Sequence, residues 1–166
     1  MTPDLATTYL GLPLRSPLVV GAAAPLSDDL AQLQALERAG AAAIVLHSLF
    51  EEQIEQEQLD LYHRLGQGAE SYGEALSYVQ EPSIFHGGED LYLRHLEQAC
   101  QRLAVPVIAS GGAGCIDHIA QALDAGHQGG HASAALLASL LHDGVLTVEE
   151  IKLDLLGRGF NIRPLA

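Results

Sequence analysis

One pattern occurs twice along these 166 residues. Pro17-Leu-Val-Val-Gly-Ala-Ala-Ala24 leads into Asp28–Gly40 and then Ala41-Ala-Ala-Ile-Val-Leu-His-Ser-Leu-Phe50. Farther on, Pro106-Val-Ile-Ala-Ser-Gly-Gly-Ala-Gly114 leads into Asp117–Gly126 and then Ala134-Ala-Leu-Leu-Ala-Ser-Leu-Leu-His142. Each copy reads as a strand, a loop of glycine or small residues, a helix ending in Ala-Gly, and a second strand. Strands that alternate with helices form a parallel sheet with right-handed crossovers. The expected fold is therefore α/β, a (βα)4 half of the eight-unit TIM barrel.

The local signals place these elements. Leu18–Gly21 is apolar and framed by Pro17 and small residues, which suits a short buried strand. Ser27 is a good N-cap for a helix whose stripe is Leu30, Leu33, Leu36 and Ala39, and Gly40 stops it. Ala43–Leu46 is the second strand. Residues 51–89 break the repeat, with a charged helical stretch from Glu51, a short helix over Ala69–Val79 and a turn at Glu81-Pro82-Ser83. Asp90–Leu103 is amphipathic, with Leu91, Leu93, Leu96, Ala99 and Leu103 on its apolar face. Val107–Ala109 is the third strand and Asp117–Leu123 the third helix. His127-Gln-Gly-Gly-His131 then forms a glycine-rich linker that the first copy lacks. Ala135–Ala138 is the fourth strand. Thr147-Val-Glu-Glu150 is a capping box that opens the last helix, Val148–Leu156.

Composition limits the function classes. Hydrophobic content of 48% with 17% charged residues describes a globular chain, one domain over 1–166. A formal net charge of −13 disfavours nucleic acid and anionic membrane surfaces as partners. Cys100 and Cys115 are too few for a disulfide framework. With no secretory signal pattern, a cytoplasmic location is expected. The apolar runs are too short to span a bilayer.

Two family resemblances follow from the motifs. Residues 4–105 resemble a dihydroorotate dehydrogenase-like barrel through Thr8-Tyr-Leu-Gly-Leu12, Ser16–Leu26 and Ala41–Gln53. Residues 105–164 resemble the C-terminal quarter of the cyclase subunit of imidazole glycerol phosphate synthase. That likeness rests on Pro106–Gly114, Ala134–His142 and Leu146-Thr-Val-Glu-Glu-Ile-Lys152. The chain therefore reads as a chimera-like half barrel with parts 1–104 and 105–166.

Ser110-Gly-Gly-Ala-Gly114 follows a strand and opens a helix. Glycine there lets backbone N–H groups approach a phosphate, and the helix start adds a positive field. The same glycines also suit a tight strand-to-helix turn. The cyclase resemblance implies that Gly111 and Gly112, with Ala138 and Ser139 at the next strand end, hold one substrate phosphate. The candidate anion site is thus Ser110, Gly111, Gly112, Gly114, Ala138 and Ser139, with phosphate or sulfate as ligand. The other resemblance implies FMN as an alternative cofactor and a flavin oxidoreductase as an alternative function.

Catalysis is less well supplied. The cyclase resemblance calls for an aspartate on a first strand, where this chain has Ala and Gly. The flavin-dependent resemblance calls for a basic residue and a mid-barrel Cys or Ser, and that middle is missing. The expectation is a phosphate-binding protein without a complete catalytic set, with a cyclase or lyase acting on a phosphorylated metabolite as a further alternative. His47 and His142 stand at corresponding places of the two copies and form a candidate proton-handling pair; solvated rim histidines are the alternative. No histidine spacing suggests a metal. Four parallel strands expose two edges and an apolar inner face, so a twofold homodimer completing eight strands is expected.

Overall fold

The structure is a computed structural model that describes residues 5–9, 11–48, 87–126 and 129–163. The elements expected within 51–86, and His127, lie outside those residues. A hairpin comes first, β1 (Thr7–Tyr9) and β2 (Leu12–Leu14), paired antiparallel with Thr7 opposite Leu14. Then follow β3 (Val19–Val20), α1 (Ala24–Ser27), α2 (Leu30–Arg38), β4 (Ala43–Val45) and α3 (Gly87–Arg102). The remainder is β5 (Val107–Ser110), α4 (Ile116–Leu123), β6 (Ala134–Leu136), α5 (Ser139–His142) and α6 (Val148–Gly157).

β3, β4, β5 and β6 form one parallel sheet in that order, each hydrogen-bonded to the next. Chain order equals spatial order, and helices separate the strands. This is the arrangement of half a (βα)8 barrel. Burial grades across the sheet. Central β5 is buried at all four positions, and Ile44 of β4 is fully buried. The outer strands are not: Leu18 is 69% exposed beside β3 and Leu136 is 54% exposed on β6. The expected buried strand over Leu18–Gly21 is thus a two-residue edge strand. Its apolar side chains have neighbours on one side only.

The larger core lies between the helices and the middle of the sheet. Leu33 of α2, Leu96 and Ala99 of α3, and Ile44, Leu46 and Val107 pack together. Fully burying a leucine contributes about 1.5–3 kcal/mol, which is why α2 and α3 are held although their other faces are polar. Leu91, placed on the apolar stripe by spacing, is 66% exposed, whereas Leu96 and Ala99 of the same stripe are fully buried. A second cluster joins Ile119 and Ala120 of α4, Leu140 of α5, and Ile151 and Leu155 of α6. The N-terminal hairpin buries Leu14 against Ala42 and Ala43, at the N-terminal end of β4.

Two local readings change. Ser27 does not cap α2; Asp29 does, its side chain accepting from the Ala31 N–H at 2.9 Å. Ser27 instead ends the one-turn helix α1 and is wholly buried. The linker glycines are packing residues: a side chain on Gly129 would strike the Asp124 carbonyl, and one on Gly130 would meet Leu96 Cδ2 at 2.5 Å. The capping box stands as expected, with the Thr147 hydroxyl accepting from Glu150 N–H and the Glu150 carboxylate accepting from Thr147 N–H. No helix of the described residues is long and apolar enough to cross a membrane.

Candidate functional site

A parallel sheet sends the C-terminal ends of its strands to one rim, where barrels carry their sites. Here that rim collects Gly21–Asp28 after β3, His47 and Ser48 after β4, Ser110–Gly114 at the end of β5, and Leu137–Ser139 after β6.

The β4 and β5 ends are joined through side chains. Ser110, buried, places its Oγ 3.0 Å from the Ser48 Oγ. The Tyr92 hydroxyl of α3 accepts from the Ser110 N–H at 3.0 Å and donates to the Ser110 carbonyl at 3.3 Å. The β4–β5 register runs to Val45 opposite Ile108, and Leu46 N–H still donates to the Ile108 carbonyl. Beyond it, the phenol does for the Ser110 backbone what a neighbouring strand would otherwise do. Burial pushes the Tyr92 phenol upward from 10.0, and the hydrogen bond to Ser110 partly offsets this. It remains a neutral donor and acceptor.

Gly111 and Gly112 are both left-handed, with φ of +69° and +71°. A Cβ on Gly111 would lie 2.6 Å from Ser48 Cβ, so both conformation and space require glycine there. The expected donors divide. Gly111 N–H is spent on the Leu136 carbonyl at 3.2 Å, tying β5 to β6. Gly114 N–H donates to His118 Nδ1 at 3.1 Å. Gly112 and Ala113, in the bend, have no backbone partner among the described residues. Gly111 therefore shapes the loop, and any anion would meet the amides that follow it. A small cleft beside this loop is lined by Tyr92, Leu93, Gly111, Gly112, Ala113 and His118. Ala138 and Ser139 are exposed where β6 gives way to α5. The β5–β6 pairing of Ser110 with Leu136 puts them beside the glycine loop.

The two histidines do not form a pair of equivalents. His47 stands two residues past β4, whereas the position two residues past β6 is Ala138. His142 lies farther on, exposed, at the last residue of α5. His47 is set in a network that the sequence did not reveal. Its backbone N–H donates to the Ser27 Oγ at 3.0 Å, and its Nδ1 lies 3.0 Å from Asp28 Oδ1 and 3.3 Å from Ser27 Oγ. Ser27 Oγ donates to the Ala23 carbonyl at 3.1 Å, and His95 Nε2 donates to the Ser27 carbonyl at 2.6 Å. Only a contact between Ser27 and His47, twenty positions apart, brings this out. Cys100 is a packing residue, its thiol pushed up to about 11 by burial. Among the described residues no group of three or more His, Cys, Asp or Glu is arranged to hold a metal ion.

Residues 87–147 match the family described as "Histidine biosynthesis protein". The matched stretch takes in α3, β5, the glycine loop, α4, β6 and α5, so the likeness begins before the third strand. Curated relatives share the name "Imidazole glycerol phosphate synthase subunit HisF". That of Synechococcus sp. (strain CC9311) is 63% identical over 93 residues, which are 56% of this chain and 35% of the relative. That of Synechococcus sp. (strain CC9605) is 62% identical over 92 residues, 55% of this chain and 35% of the relative. That of Prochlorococcus marinus (strain MIT 9211) is 49% identical over 94 residues, 56% of this chain and 34% of the relative. The chain spans about a third of the length of the curated relatives it matches. These matches support the cyclase-like resemblance; none of them supports the dihydroorotate dehydrogenase-like one.

Proposed function

We propose that this chain binds a small phosphorylated molecule at the rim formed by Ser110–Gly114 and Ala138–Ser139, within a barrel closed by a second copy. The observation that carries the reading is the bend at Gly111–Gly112. Gly111 and Gly112 are both left-handed, Gly111 packs against Ser48, and the Gly112 and Ala113 N–H groups have no backbone partner among the described residues. A run of backbone N–H groups before a helix start is an anion-binding arrangement. The helix that follows, α4, carries Asp117 in its first turn. That carboxylate is neutralised by Arg158, whose Nη1 lies 2.7 Å away, so it opposes an anion less than its position implies. The name of the matching relatives supports a phosphate-bearing ligand.

The second copy answers the sheet edges at β3 and β6, which have no further strand beside them among the described residues. The fourth strand of each chain would lie beside the first of the other. A second reading, a cyclase or lyase acting on a phosphorylated metabolite, is favoured by the identity to the HisF relatives. It requires acid–base groups from this chain at the same rim.

The test is phosphorus-31 NMR and calorimetry with inorganic phosphate, then glycerol phosphate, on the wild type and on Gly112→Pro. Saturable binding by the wild type, lost in the variant with the circular dichroism spectrum retained, is expected. Equal binding by both proteins would place the anion elsewhere and overturn the reading.

A further inference from the structure

We infer that His47 is a general base whose basic nitrogen is Nε2, oriented by Asp28 and Ser27, serving proton transfer on the ligand held by the glycine loop. The inference rests on the anion reading above for its substrate and on the hydrogen-bond network for its base.

The network fixes the tautomer. Ser27 has one hydroxyl proton, and the Ala23 carbonyl, which can only accept, takes it at 3.1 Å. Ser27 Oγ is therefore an acceptor toward His47, both for the backbone N–H at 3.0 Å and for the ring at 3.3 Å. Asp28 Oδ1, 3.0 Å from the same ring nitrogen, also accepts. Nδ1 must then carry the proton in the neutral ring, which leaves the lone pair on Nε2. A carboxylate on Nδ1 both orients an imidazole and stabilises the imidazolium that forms when Nε2 takes a proton.

The base is also held in place. Ser27 is fully buried although polar, and its hydroxyl is used entirely on Ala23 and His47. Its carbonyl is fixed in turn by His95 from α3. The titratable groups tied to the ring are thus Asp28, ahead of α2, and His95. The ring side chain remains 25% exposed. His47 is followed directly by Ser48, whose Cβ touches the space above Gly111. His47 follows β4 and the glycine loop follows β5, and these two strands are hydrogen-bonded neighbours, so both stand at the same rim.

The chemistry that fits is removal of a proton from a carbon next to a carbonyl in a phosphate-bearing compound. The C–H bond breaks, its proton passes to Nε2, and the electron pair moves onto the carbonyl oxygen as an enolate. The reverse step returns a proton to carbon. No oxidant or reductant takes part.

Two measurements test this. Nitrogen-15 NMR of imidazole-labelled protein should show His47 with Nδ1 protonated and Nε2 bare in the neutral ring; the opposite tautomer overturns the inference. Proton NMR in D2O should show hydrogen exchange at the carbon of dihydroxyacetone phosphate. His47→Gln should lower it roughly 100-fold or more, and Asp28→Asn about tenfold or more. Asp28 is surface-exposed, so its variant keeps the test open if His47→Gln does not fold. No exchange with dihydroxyacetone phosphate or with dihydroxyacetone overturns the base. Exchange of dihydroxyacetone alongside an unshifted phosphate resonance keeps His47 and sinks the anion site.

Discussion

At the scale of single residues, the site depends on contacts that span the chain. Gly111 stands where a left-handed backbone and the Ser48 side chain coincide. Gly111→Ala should cost at least about 1–2 kcal/mol from conformation alone, with a further penalty from the clash. Adding Ser48→Gly should recover the clash but not the conformational cost, and thermal melts of both single variants and the double variant separate the two. Tyr92→Phe leaves the buried Ser110 N–H without its acceptor, an expected loss of about 1–3 kcal/mol. The glycine loop was legible in the sequence because glycine alone fits such a bend, so the residue type itself announces the geometry. Ser27 was misread for the opposite reason. Serine just before a helical stretch that opens with two aspartates suits a cap, and local rules favour it. The partners at His47 and His95 lie far along the chain and took the hydroxyl and carbonyl elsewhere.

At the scale of elements, long periodic stretches were readable and short ones were not. α3 and α4 emerged within a few residues of expectation, because a 3.6-residue apolar period against a sheet leaves a strong imprint. Leu96→Ala, at the fully buried centre of α3, should lower stability by about 2–5 kcal/mol in denaturant unfolding. The β1–β2 hairpin was missed. Its strands are three residues each, β1 is exposed throughout, and Leu14 is the one buried residue of the two strands. α6 was legible through its capping box, which also predicts a pH response. The Thr147 hydroxyl and N–H hold the Glu150 carboxyl below its ordinary 4.5. A carboxyl depressed in the folded state stabilises it above the unfolded value, and that contribution is lost as pH falls through the lower folded value. Melting temperature should therefore decline below pH 4.5 in the wild type, and Thr147→Ala should flatten that decline. An unchanged profile in the variant would exclude the box as a source of acid sensitivity.

At the scale of the whole molecule, the four parallel strands of the described residues leave two seams, and their exposed residues are chemically alike. Leu18 and Val19 line one edge, and Leu136 the other. Both edges belong to one parallel sheet, so β6 of one copy can take β3 of another without reversing direction. In the proposed dimer, twofold symmetry would make the two seams identical, and a single substitution would strike both at once. Val19→Lys or Leu136→Lys should therefore convert a dimer to monomer, read by light scattering, instead of weakening it by half. Charge sets the opposing term. Each chain carries −13, and bringing two together costs repulsion that salt screens over roughly 10 Å at 0.1 M. Apolar seams lose nothing to salt, so the proposed dimer should tighten as sodium chloride rises from roughly 0.02 to roughly 0.5 M. Dissociation by salt would instead mean that the copies meet through ion pairs, and the exposed edge residues would then require a different partner.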